Sequence, residues 1–444
     1  MVTEGREYTA VIESVSSDGN GVAHIDGLAV FVPRTVGGDK VKVKIESVKK
    51  RFAVGEATKI IEPSPNRCVS DCALYGECGG CQLRHAEYGE QLRIKKSIVE
   101  NAMRRLGGFK DFTLEETVGM ENPSRYRNKM IFPVGKKNGE NVCGFYEQKS
   151  HTVIPVTDCL LGDEINLEIT KAVIRYMNET RADAVRRVFT RTSFSTGEVM
   201  AVICADTKTL PESDKLVGSL RQISDRIVSI ILNVNTKQNS PEITDKNVIL
   251  YGKETIEDTL CGIRFGISPQ SFFQVNPVQT EKLYSRALEY AAINKTTRVL
   301  DIYCGIGTIS LCAAKKARSV IGVEIVKKAI EDARENAAKN GIENADFYAD
   351  SAENIVPKLI QNGEIADVVI LDPPRKGSDE KTLAAILEAQ PERIVYVSCN
   401  PATLARDARY LADNGYTLTR ASAFDLFPHT VHVETVVLLQ RKIW

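Results

Sequence analysis

The stretch Asp301-Ile302-Tyr303-Cys304-Gly305-Ile306-Gly307-Thr308 joins a strand pattern that starts at Arg298 to a helix pattern that continues to Lys316. Glycines at such a turn let the backbone approach a ligand closely. From here onward strand patterns alternate with helix patterns, which predicts a doubly wound, mostly parallel sheet and an α/β fold class. The last two strand patterns, near 416–424 and 432–440, leave no room for a helix between them. They are expected to form an antiparallel edge pair.

Acidic residues at the ends of the predicted strands indicate a cofactor site. Glu324 ends the second strand, roughly 20 residues after Asp301, where a carboxylate accepts hydrogen bonds from ribose hydroxyls. The third glycine of the dinucleotide spacing is missing, so the pattern favours S-adenosylmethionine over NAD. Asp372 begins an Asp-Pro-Pro turn after the fourth strand and is expected near the transferred methyl group. Asp350, after the third strand, is expected either to contact the adenine or to cap a loop.

The segment Val397-Ser398-Cys399-Asn400-Pro401 ends the fifth strand. Asn400 is a good N-cap and proline is favoured in a first helical turn, so a helix should begin here and its dipole should favour the Cys399 thiolate. A thiolate in this crevice suits methylation at C5 of a pyrimidine: sulfur adds to C6, C5 attacks the methyl group, and a base removes the C5 proton. Glu434 is the predicted base, because partial burial would raise its pKa. His429 and His432 are rival bases.

The N-terminal half has a different composition. Residues 1–61 carry short strand patterns separated by turns, which predicts a small β-barrel of the OB type. The basic run from Lys40 to Arg51 is either a solvated strand face or a surface that follows nucleic-acid phosphates. Residues 62–260 mix strands and helices and are expected to form a central α+β domain, followed by the third domain at 261–444.

Charge and cysteine content limit the possible functions. Lys and Arg together number 58, equal to Asp and Glu, so any nucleic-acid surface must be local. No apolar run approaches the ~18 residues of a membrane helix and no secretory signal is visible at the N-terminus, so we expect a cytosolic protein. The 11 cysteines then favour metal ligation or catalysis over disulfides. By spacing, Cys68, Cys72, Cys78 and Cys81 are also suited to a zinc site.

These motifs together resemble the RNA uracil-C5 methyltransferase family, and specifically its bacterial 23S rRNA branch. The resemblance covers nearly the whole chain and is carried by five segments, namely 271–277 (Ser-Phe-Phe-Gln-Val-Asn-Pro), 301–308, 372–377, 398–401 and 427–434. It implies a Rossmann-like methyltransferase domain, an N-terminal TRAM domain that serves RNA binding, and packing of the basic helical stretch near 84–115 on the catalytic domain.

The resemblance also implies roles for individual residues. Cys399 would be the nucleophile and Glu434 the base. The implied contacts to S-adenosylmethionine come from Gln274, Tyr303, Glu324 and Asp372. The implied ligands of a [4Fe–4S] cluster are Cys72, Cys78, Cys81 and Cys159, a set that leaves out Cys68.

The expected partner is RNA, most specifically 23S rRNA with an unpaired or flipped uridine, bound by a monomeric enzyme with no membrane contact. The helix near 93–105 and Arg125, Arg127 and Lys129 are candidates to hold phosphates. Three alternatives stay open. One is a tRNA-directed member of the same family, the second is an amino-methyltransferase that uses the Asp-Pro-Pro motif, and the third is an RNA-binding assembly factor without activity.

Overall fold

The computed structural model describes residues 1–236, 243–364 and 366–442. The N-terminal strands form one six-stranded sheet in the order β1-β5-β6-β4-β3-β2. Their bounds are β1 Glu7–Val11, β2 Ser14–Val15, β3 Gly21–Ile25, β4 Leu28–Val32, β5 Lys40–Val48 and β6 Phe52–Glu62. Along β5, Val41, Val43 and Ile45 are buried while Lys42 and Lys44 are exposed, so the basic run forms one face of a strand whose other face is core.

The central part is a seven-stranded sheet covered by two helices. Apart from the parallel pair β12–β13, neighbouring strands are antiparallel in the order β10-β9-β8-β11-β12-β13-β14. The bounds are β8 Lys129–Lys137, β9 Glu140–Tyr146, β10 Val153–Pro155, α2 Ile165–Thr180, β11 Val185–Thr192, β12 Val199–Ala205, α3 Ser213–Ile223, β13 Ile227–Val234 and β14 Asn247–Gly252. A separate hairpin, β15 Ile256–Leu260 and β16 Ile263–Ile267, follows, so the predicted boundary at 260/261 falls at its turn.

The C-terminal part is an eight-stranded sheet in the order β19-β18-β17-β20-β21-β23-β22-β7. The strands from β19 to β21 are parallel, as the alternating pattern predicts. The bounds are β7 Thr113–Leu114, α4 Pro277–Ala291, β17 Arg298–Ile302, α5 Thr308–Ala314, β18 Ser319–Glu324, α6 Lys327–Lys339, β19 Ala345–Ala349, α7 Ala352–Gln361, β20 Val368–Leu371, α8 Glu380–Glu388, β21 Arg393–Ser398, α9 Pro401–Asp413, β22 Tyr416–Phe424 and β23 Glu434–Arg441.

The expected edge position of the last two strands is wrong. They pair with each other antiparallel, but β23 lies between β21 and β22. The short strand β7 pairs with the outer edge of β22, so β22 is not the edge strand. The reason is that β7 lies far upstream in the chain, and no local sequence pattern predicts its pairing with β22.

The helix α1 (Tyr88–Asn101) continues as a π-helical turn, Ala102–Leu106, and packs on the C-terminal sheet. Val99 and Met103 share an apolar core with Tyr396 and Leu404. Burial of such side chains contributes roughly 1.5–3 kcal/mol each, so this upstream segment is an integral layer of the C-terminal unit. Within the described part of the chain, no helix is long and apolar enough to cross a membrane.

Candidate active site

The glycine turn after β17 opens the crevice at the carboxyl ends of the parallel strands. Gly305 and Gly307 have φ angles of 55° and 82°, in the left-handed region that glycine adopts without strain. A Cβ added at Gly305 would meet nothing within 4 Å, so this face of the turn is open to a ligand. Tyr303, with a φ of 66°, holds the same tight turn at a cost in backbone strain.

Three of the predicted cofactor residues, Tyr303, Glu324 and Asp372, lie at the carboxyl ends of parallel strands along this edge of the sheet, and the fourth, Gln274, lies outside the sheet. Tyr303 hydrogen-bonds through its hydroxyl to Ser378 Oγ at 3.0 Å. Glu324 ends β18, and one carboxylate oxygen accepts from the Val326 amide at 3.0 Å. Asp372 follows β20, and Gln274 is buried just before α4. The three strand-end side chains therefore lie along the edge where a parallel sheet places its ligand site, and contacts of all four residues with a cofactor stay a prediction.

Asp350 has local partners instead. Its carboxylate accepts from the Ser351 amide and from Asn354 Nδ2, both at 2.8 Å, and these two bonds hold its pKa below the usual value. The loop-capping role is thus visible in the structure. A contact to the adenine stays a prediction.

Two carboxyl groups with raised pKa values lie at the ends of neighbouring strands, the buried Asp301 on β17 and the half-buried Asp372 after β20. Burial and, to a smaller extent, the neighbouring Asp301 together raise the pKa of Asp372 to about 7. Burial likewise raises the pKa of Asp301 to about 7, although Ser310 Oγ donates to its carboxylate at 2.5 Å. A site that holds uncompensated acids favours a cationic ligand, because a positive charge stabilises their ionised forms.

Cys399 and Glu434 are brought together by the antiparallel pair β21–β23. Ser398 pairs with Thr435, so the next residue on each strand, Cys399 on one side and Glu434 on the other, faces its counterpart. Glu434 is 3% exposed. Burial raises its pKa to about 8, the nearby Asp372 adds to the rise, and Arg375 opposes it. The expected elevation of the Glu434 pKa is therefore present, and in its ionised form this carboxylate binds a proton more strongly than an ordinary glutamate.

The local prediction for the helix after Cys399 is confirmed, but the predicted effect on the thiol is wrong. Asn400 caps α9 by accepting from the Ala402 amide at 3.1 Å, with Pro401 in the first turn. Burial nevertheless raises the pKa of Cys399 to about 11, with Glu434 and Asp372 as further causes. The helix dipole amounts to about half a charge, and desolvation with two acidic neighbours outweighs it.

Arg375 is the functional candidate that the sequence interpretation missed. Its guanidinium interacts with the Cys399 thiol and opposes the rise of that group's pKa. Its backbone carbonyl accepts from Asn400 Nδ2 at 3.1 Å and from Thr403 Oγ1 at 3.3 Å, which fixes Arg375 to the start of α9. Its position directly after Asp-Pro-Pro was the available signal, since that turn leads into the crevice.

The two rival bases have a weaker affinity for protons. Burial lowers the pKa of His429 to about 4, and its backbone amide and ring are both held by Gln91. Burial and then Arg375 lower the pKa of His432 to about 4, and its Nε2 lies 3.5 Å from the Arg375 guanidinium. In its ionised form, Glu434 therefore has the highest proton affinity of the three groups.

The segment 425–430, which leads to β23, is held by the upstream helix α1. Lys95 and Asp425 are both completely buried and form an ion pair, and Tyr88 donates to the same carboxylate at 2.8 Å. Lys95 also donates to the Phe427 carbonyl at 3.0 Å. Lys95 therefore cannot serve as the phosphate contact that the basic helix pattern suggested. Arg125 is similarly committed, to Asp158.

Four of the five candidate metal ligands line one cavity of about 350 Å³, namely Cys72, Cys78, Cys81 and Cys159. Cys68 is not among the lining residues, and its thiol donates to the Arg84 carbonyl at 3.5 Å. Burial raises the pKa of Cys81 to about 11, and the charges of Cys159 and Cys78 contribute to the rise. Among the described residues, however, no group of three or more His, Cys, Asp or Glu side chains is already arranged as a metal site.

The same cavity extends to Arg375 and His432, which lie near the predicted catalytic residues, although Cys399 and Glu434 do not line it themselves. Its other walls include Arg375, Phe427, Thr430 and His432 from the C-terminal part, with Arg127 and Lys129 from the region of β8. Burial lowers the pKa of Lys129 to about 8, with the charges of Arg191 and Arg127 as further causes. The cavity thus connects the cysteine segment to Arg375 and has a cationic wall suited to an anionic ligand.

The fold and the glycine turn define the class of protein, a Rossmann-like methyltransferase that uses S-adenosylmethionine. The sequence profile of the tRNA (uracil-5-)-methyltransferase family matches residues 87–442, and that of the TRAM domain matches residues 1–58. The chain therefore belongs to the tRNA (uracil-5-)-methyltransferase family and is an RNA methyltransferase with an N-terminal TRAM domain.

Full-length relatives agree with this assignment. The chain is 44% identical over 447 residues to an uncharacterized RNA methyltransferase of Caldanaerobacter subterraneus, covering 98% of both chains. It is 43% identical over 448 residues to a Bacillus cereus protein of the same description, covering 99% of this chain and 97% of that one. Among solved structures, it is similar to the Pyrococcus abyssi tRNA (uracil-54, C5)-methyltransferase in complex with S-adenosyl-L-homocysteine. That match has a TM-score of 0.76 and 29% identity, and covers 97% of this chain and 99% of the other.

Proposed function

We propose that this enzyme methylates C5 of a uracil in 23S rRNA, in the cytosol and as a monomer, with Cys399 as nucleophile and Glu434 as base. The observation that carries the chemistry is the facing pair of Cys399 and Glu434 at the ends of β21 and β23, beside Asp372. Addition to C6, methyl transfer and elimination require a thiol and a basic carboxyl group that both reach the same uracil ring.

Cys399 begins the reaction by adding its sulfur to C6 of the uracil, which places carbanion character on C5. The thiol must first lose its proton to the solvent, because Glu434 is needed later for the C5 proton, and the raised pKa of the thiol makes this step costly in the free enzyme. The Arg375 guanidinium, which interacts with the thiol, stabilises the thiolate as the base enters. We assign Arg375 the role of stabilising the Cys399 thiolate.

S-adenosylmethionine supplies an electrophilic methyl group to C5 when it is bound. We propose that Gln274, Tyr303, Glu324 and Asp372 hold it, with Asp350 as a more peripheral contact. The raised pKa values of Asp301 and Asp372 fit this cationic ligand, because a sulfonium near them stabilises the ionised carboxylates.

Glu434 completes the reaction by taking the proton from C5 of the methylated adduct. The electrons of the C5–H bond re-form the C5–C6 double bond, and the C6–S bond breaks to release the Cys399 thiolate. A carboxyl with a pKa near 8 is a stronger base than an ordinary glutamate, so its complete burial serves this step.

The cysteine cavity fits a group held by four sulfur ligands. We propose that Cys72, Cys78, Cys81 and Cys159 hold a [4Fe–4S] cluster, with zinc as the alternative. Support comes from the shared cavity, to which Cys68 does not contribute, and from charge effects between its cysteines. Cys72 raises the pKa values of Cys78 and Cys159, and Cys78 raises those of Cys81 and Cys159. A bound cation would relieve this repulsion between thiolates. Its expected role is to fold the segment and position RNA.

A tRNA substrate is the second candidate, and the similar Pyrococcus abyssi structure favours it. The match to that structure covers 97% of this chain, so the overall fold does not distinguish a 23S rRNA substrate from a tRNA substrate. In either RNA the uridine must leave the helix stack, at a cost of roughly a few kcal/mol, before sulfur can reach C6.

The experiment that tests the proposal is methyl transfer in vitro from labelled S-adenosylmethionine to unmodified 23S rRNA and unmodified tRNA, followed by mapping of 5-methyluridine. The proposal predicts label at C5 of a uridine in 23S rRNA. Label in tRNA alone would select the second candidate. Label on an adenine amino group would contradict uracil C5 chemistry.

A further inference from the structure

A turn of the TRAM domain packs against the segment that leads to Glu434. Residues 16–20, here called the TRAM turn, connect β2 to β3. Hydrogen bonds within the turn close it: the Ser16 amide donates to the Asn20 carbonyl at 2.8 Å, and the Gly19 amide donates to the Ser16 carbonyl at 2.9 Å. The TRAM turn therefore has a fixed shape and can support the residues that it contacts.

Gly19 brings the TRAM turn into contact with two segments that lie far away in the sequence. It is buried and has a φ of 82°, in the left-handed region. A Cβ added at Gly19 would lie 2.8 Å from Val431 Cγ1 and 3.0 Å from Gln82 Cβ. Carbon atoms in favourable contact are about 3.5–4.0 Å apart, so only a residue without a side chain fits here.

The two segments against which Gly19 packs are bonded to each other. The amides of Gln82 and Leu83 both donate to the His429 carbonyl, at 3.0 and 2.9 Å. His429 has a φ of 68°, a strained conformation for a residue with a side chain, and its amide donates to Gln91 Oε1 at 2.9 Å. Such a conformation persists only where the surrounding structure imposes it. The path of the chain at His429 therefore depends on these neighbours.

Val431 lies three residues before Glu434, on the connection from β22 to β23. Upstream of Val431, helix α1 holds this connection, because Lys95 donates to the Phe427 carbonyl at 3.0 Å. Val431 itself is half-buried, and its side chain meets the TRAM turn. A β-branched side chain has little rotamer freedom, so Val431 cannot easily turn away from a group that approaches it. The TRAM turn is thus a support close to Glu434 along the chain.

We propose that the TRAM turn positions the catalytic base. By its contact with Val431 and Gln82 it holds residues 429–433 in the arrangement from which Glu434 reaches the C5 proton. Gly19 and Val431 are then positioning residues for the last step of the reaction. This inference rests on the proposed role of Glu434 as base. It gives the TRAM domain a task in catalysis in addition to the RNA binding expected of it.

The test compares Gly19→Ala with Gly27→Ala in the full-length protein. Gly27 also belongs to the TRAM domain and has a φ of 78°, but a Cβ there would meet nothing within 4 Å. Both substitutions carry similar local backbone strain, so a difference between the two variants measures the contact with Val431 and Gln82.

Gly19→Ala should lower kcat by about 10–100-fold and leave the KM for RNA unchanged, because a small displacement of a catalytic group is costly. The covalent enzyme–RNA adduct should accumulate, since only the removal of the C5 proton is impaired. Gly27→Ala should show neither effect. Denaturing gels with labelled RNA measure the adduct, and initial rates of methyl transfer give kcat and KM.

Val431→Ala tests the same contact without a clash, and so also serves if Gly19→Ala does not fold. It should accumulate the adduct to a smaller extent than Gly19→Ala. Because it removes the Cγ1 atom that the new Cβ would meet, the double variant should have a higher kcat than Gly19→Ala alone. Absence of adduct from Val431→Ala, or strictly additive losses in the double variant, would contradict the proposal.

The proposal is also wrong if Gly19→Ala turns over like Gly27→Ala, or if it loses activity through a raised KM for RNA without accumulation of the adduct. The second result would indicate a role in RNA binding alone. Glu434→Gln in the same assay separates this failure from that of the proposed function. If Glu434→Gln accumulates the adduct and the Gly19 and Val431 variants do not, only the positioning by the TRAM turn is refuted. If Glu434→Gln also shows no adduct, the role of Glu434 as base is refuted, and the positioning with it.

Discussion

Cys399 and the cysteines of the cavity show how the same side chain is prepared for two different tasks. Cys399 lies alone between carboxyl groups, Glu434 and Asp372, with Arg375 as a cationic neighbour. Beyond burial, the charge of Cys78 raises the pKa values of Cys81 and Cys159, and the charge of Cys72 raises those of Cys78 and Cys159. A thiol surrounded by acids keeps its proton until the substrate enters, whereas a group of thiols loses its protons when a cation binds.

The largest effect is expected from Cys399→Ala. Without the sulfur, C5 of uracil cannot become nucleophilic, so methyl transfer should fall by at least about 10⁴-fold while binding of S-adenosylhomocysteine is kept. Transfer of labelled methyl groups to RNA measures the loss. The control Cys204→Ala, in the central sheet, should keep its activity, and a Cys399→Ala variant with normal turnover would support the amino-methyltransferase alternative.

A smaller but more informative effect is expected from Glu434→Gln. The amide cannot accept the C5 proton, so turnover should fall by about 10²–10⁴-fold while the covalent enzyme–RNA adduct accumulates. Denaturing gels with labelled RNA detect the adduct. Glu392→Gln, at the opposite end of β21, serves as the control and should neither lower turnover nor accumulate the adduct. Loss of activity without accumulation of the adduct would exclude Glu434 as the base of the last step.

Single serine substitutions test the proposed metal ligands in the cysteine cavity. Cys81→Ser and Cys159→Ser should lose most of the bound metal, because each removes a ligand from the cavity, while Cys68→Ser should retain it. Iron, zinc and acid-labile sulfide in anaerobically purified protein are the readout. A brown protein with broad visible absorption indicates the cluster. Equal loss of metal from the Cys68→Ser variant would contradict the assigned ligand set.

The smallest effect concerns stability. Glu434 has a folded pKa of about 8, above its unfolded value, so the native state binds more protons between roughly pH 4.5 and 8. Its burial therefore destabilises the fold increasingly as pH rises through this window. Glu434→Gln should raise the free energy of unfolding more at pH 8 than at pH 5, by about 1–3 kcal/mol. An equal gain at both pH values in denaturant titrations would show that the carboxyl is already ionised.

The two regions also differ in how far sequence could predict them. The start of α9 at Asn400-Pro401 is a local signal and was predictable. The high pKa of Cys399 was not, because it depends on Asp372 and Glu434, which only the sheet topology brings near. The approach of Arg375 to the thiol has the same long-range origin. Likewise, the pattern of α1 could not reveal that Lys95 is buried against Asp425.

On the cavity side, spacing alone favoured Cys68 as the fourth ligand. Cys159 lies far along the chain, and only the family resemblance placed it with Cys72, Cys78 and Cys81. The structure puts Cys159 in the cavity and directs the Cys68 thiol to the Arg84 carbonyl. Distances between residues remote in sequence are fixed by tertiary packing, which short motifs do not encode.

The most direct measurement is covalent trapping with RNA that carries 5-fluorouridine at the target position, in the presence of S-adenosylmethionine. Fluorine cannot leave C5 as a proton, so the methylated adduct should persist as a stable enzyme–RNA complex joined through Cys399, and peptide mapping should locate the bond there. Absence of such a complex with an RNA that the enzyme otherwise methylates, or a bond through a different residue, would contradict the account.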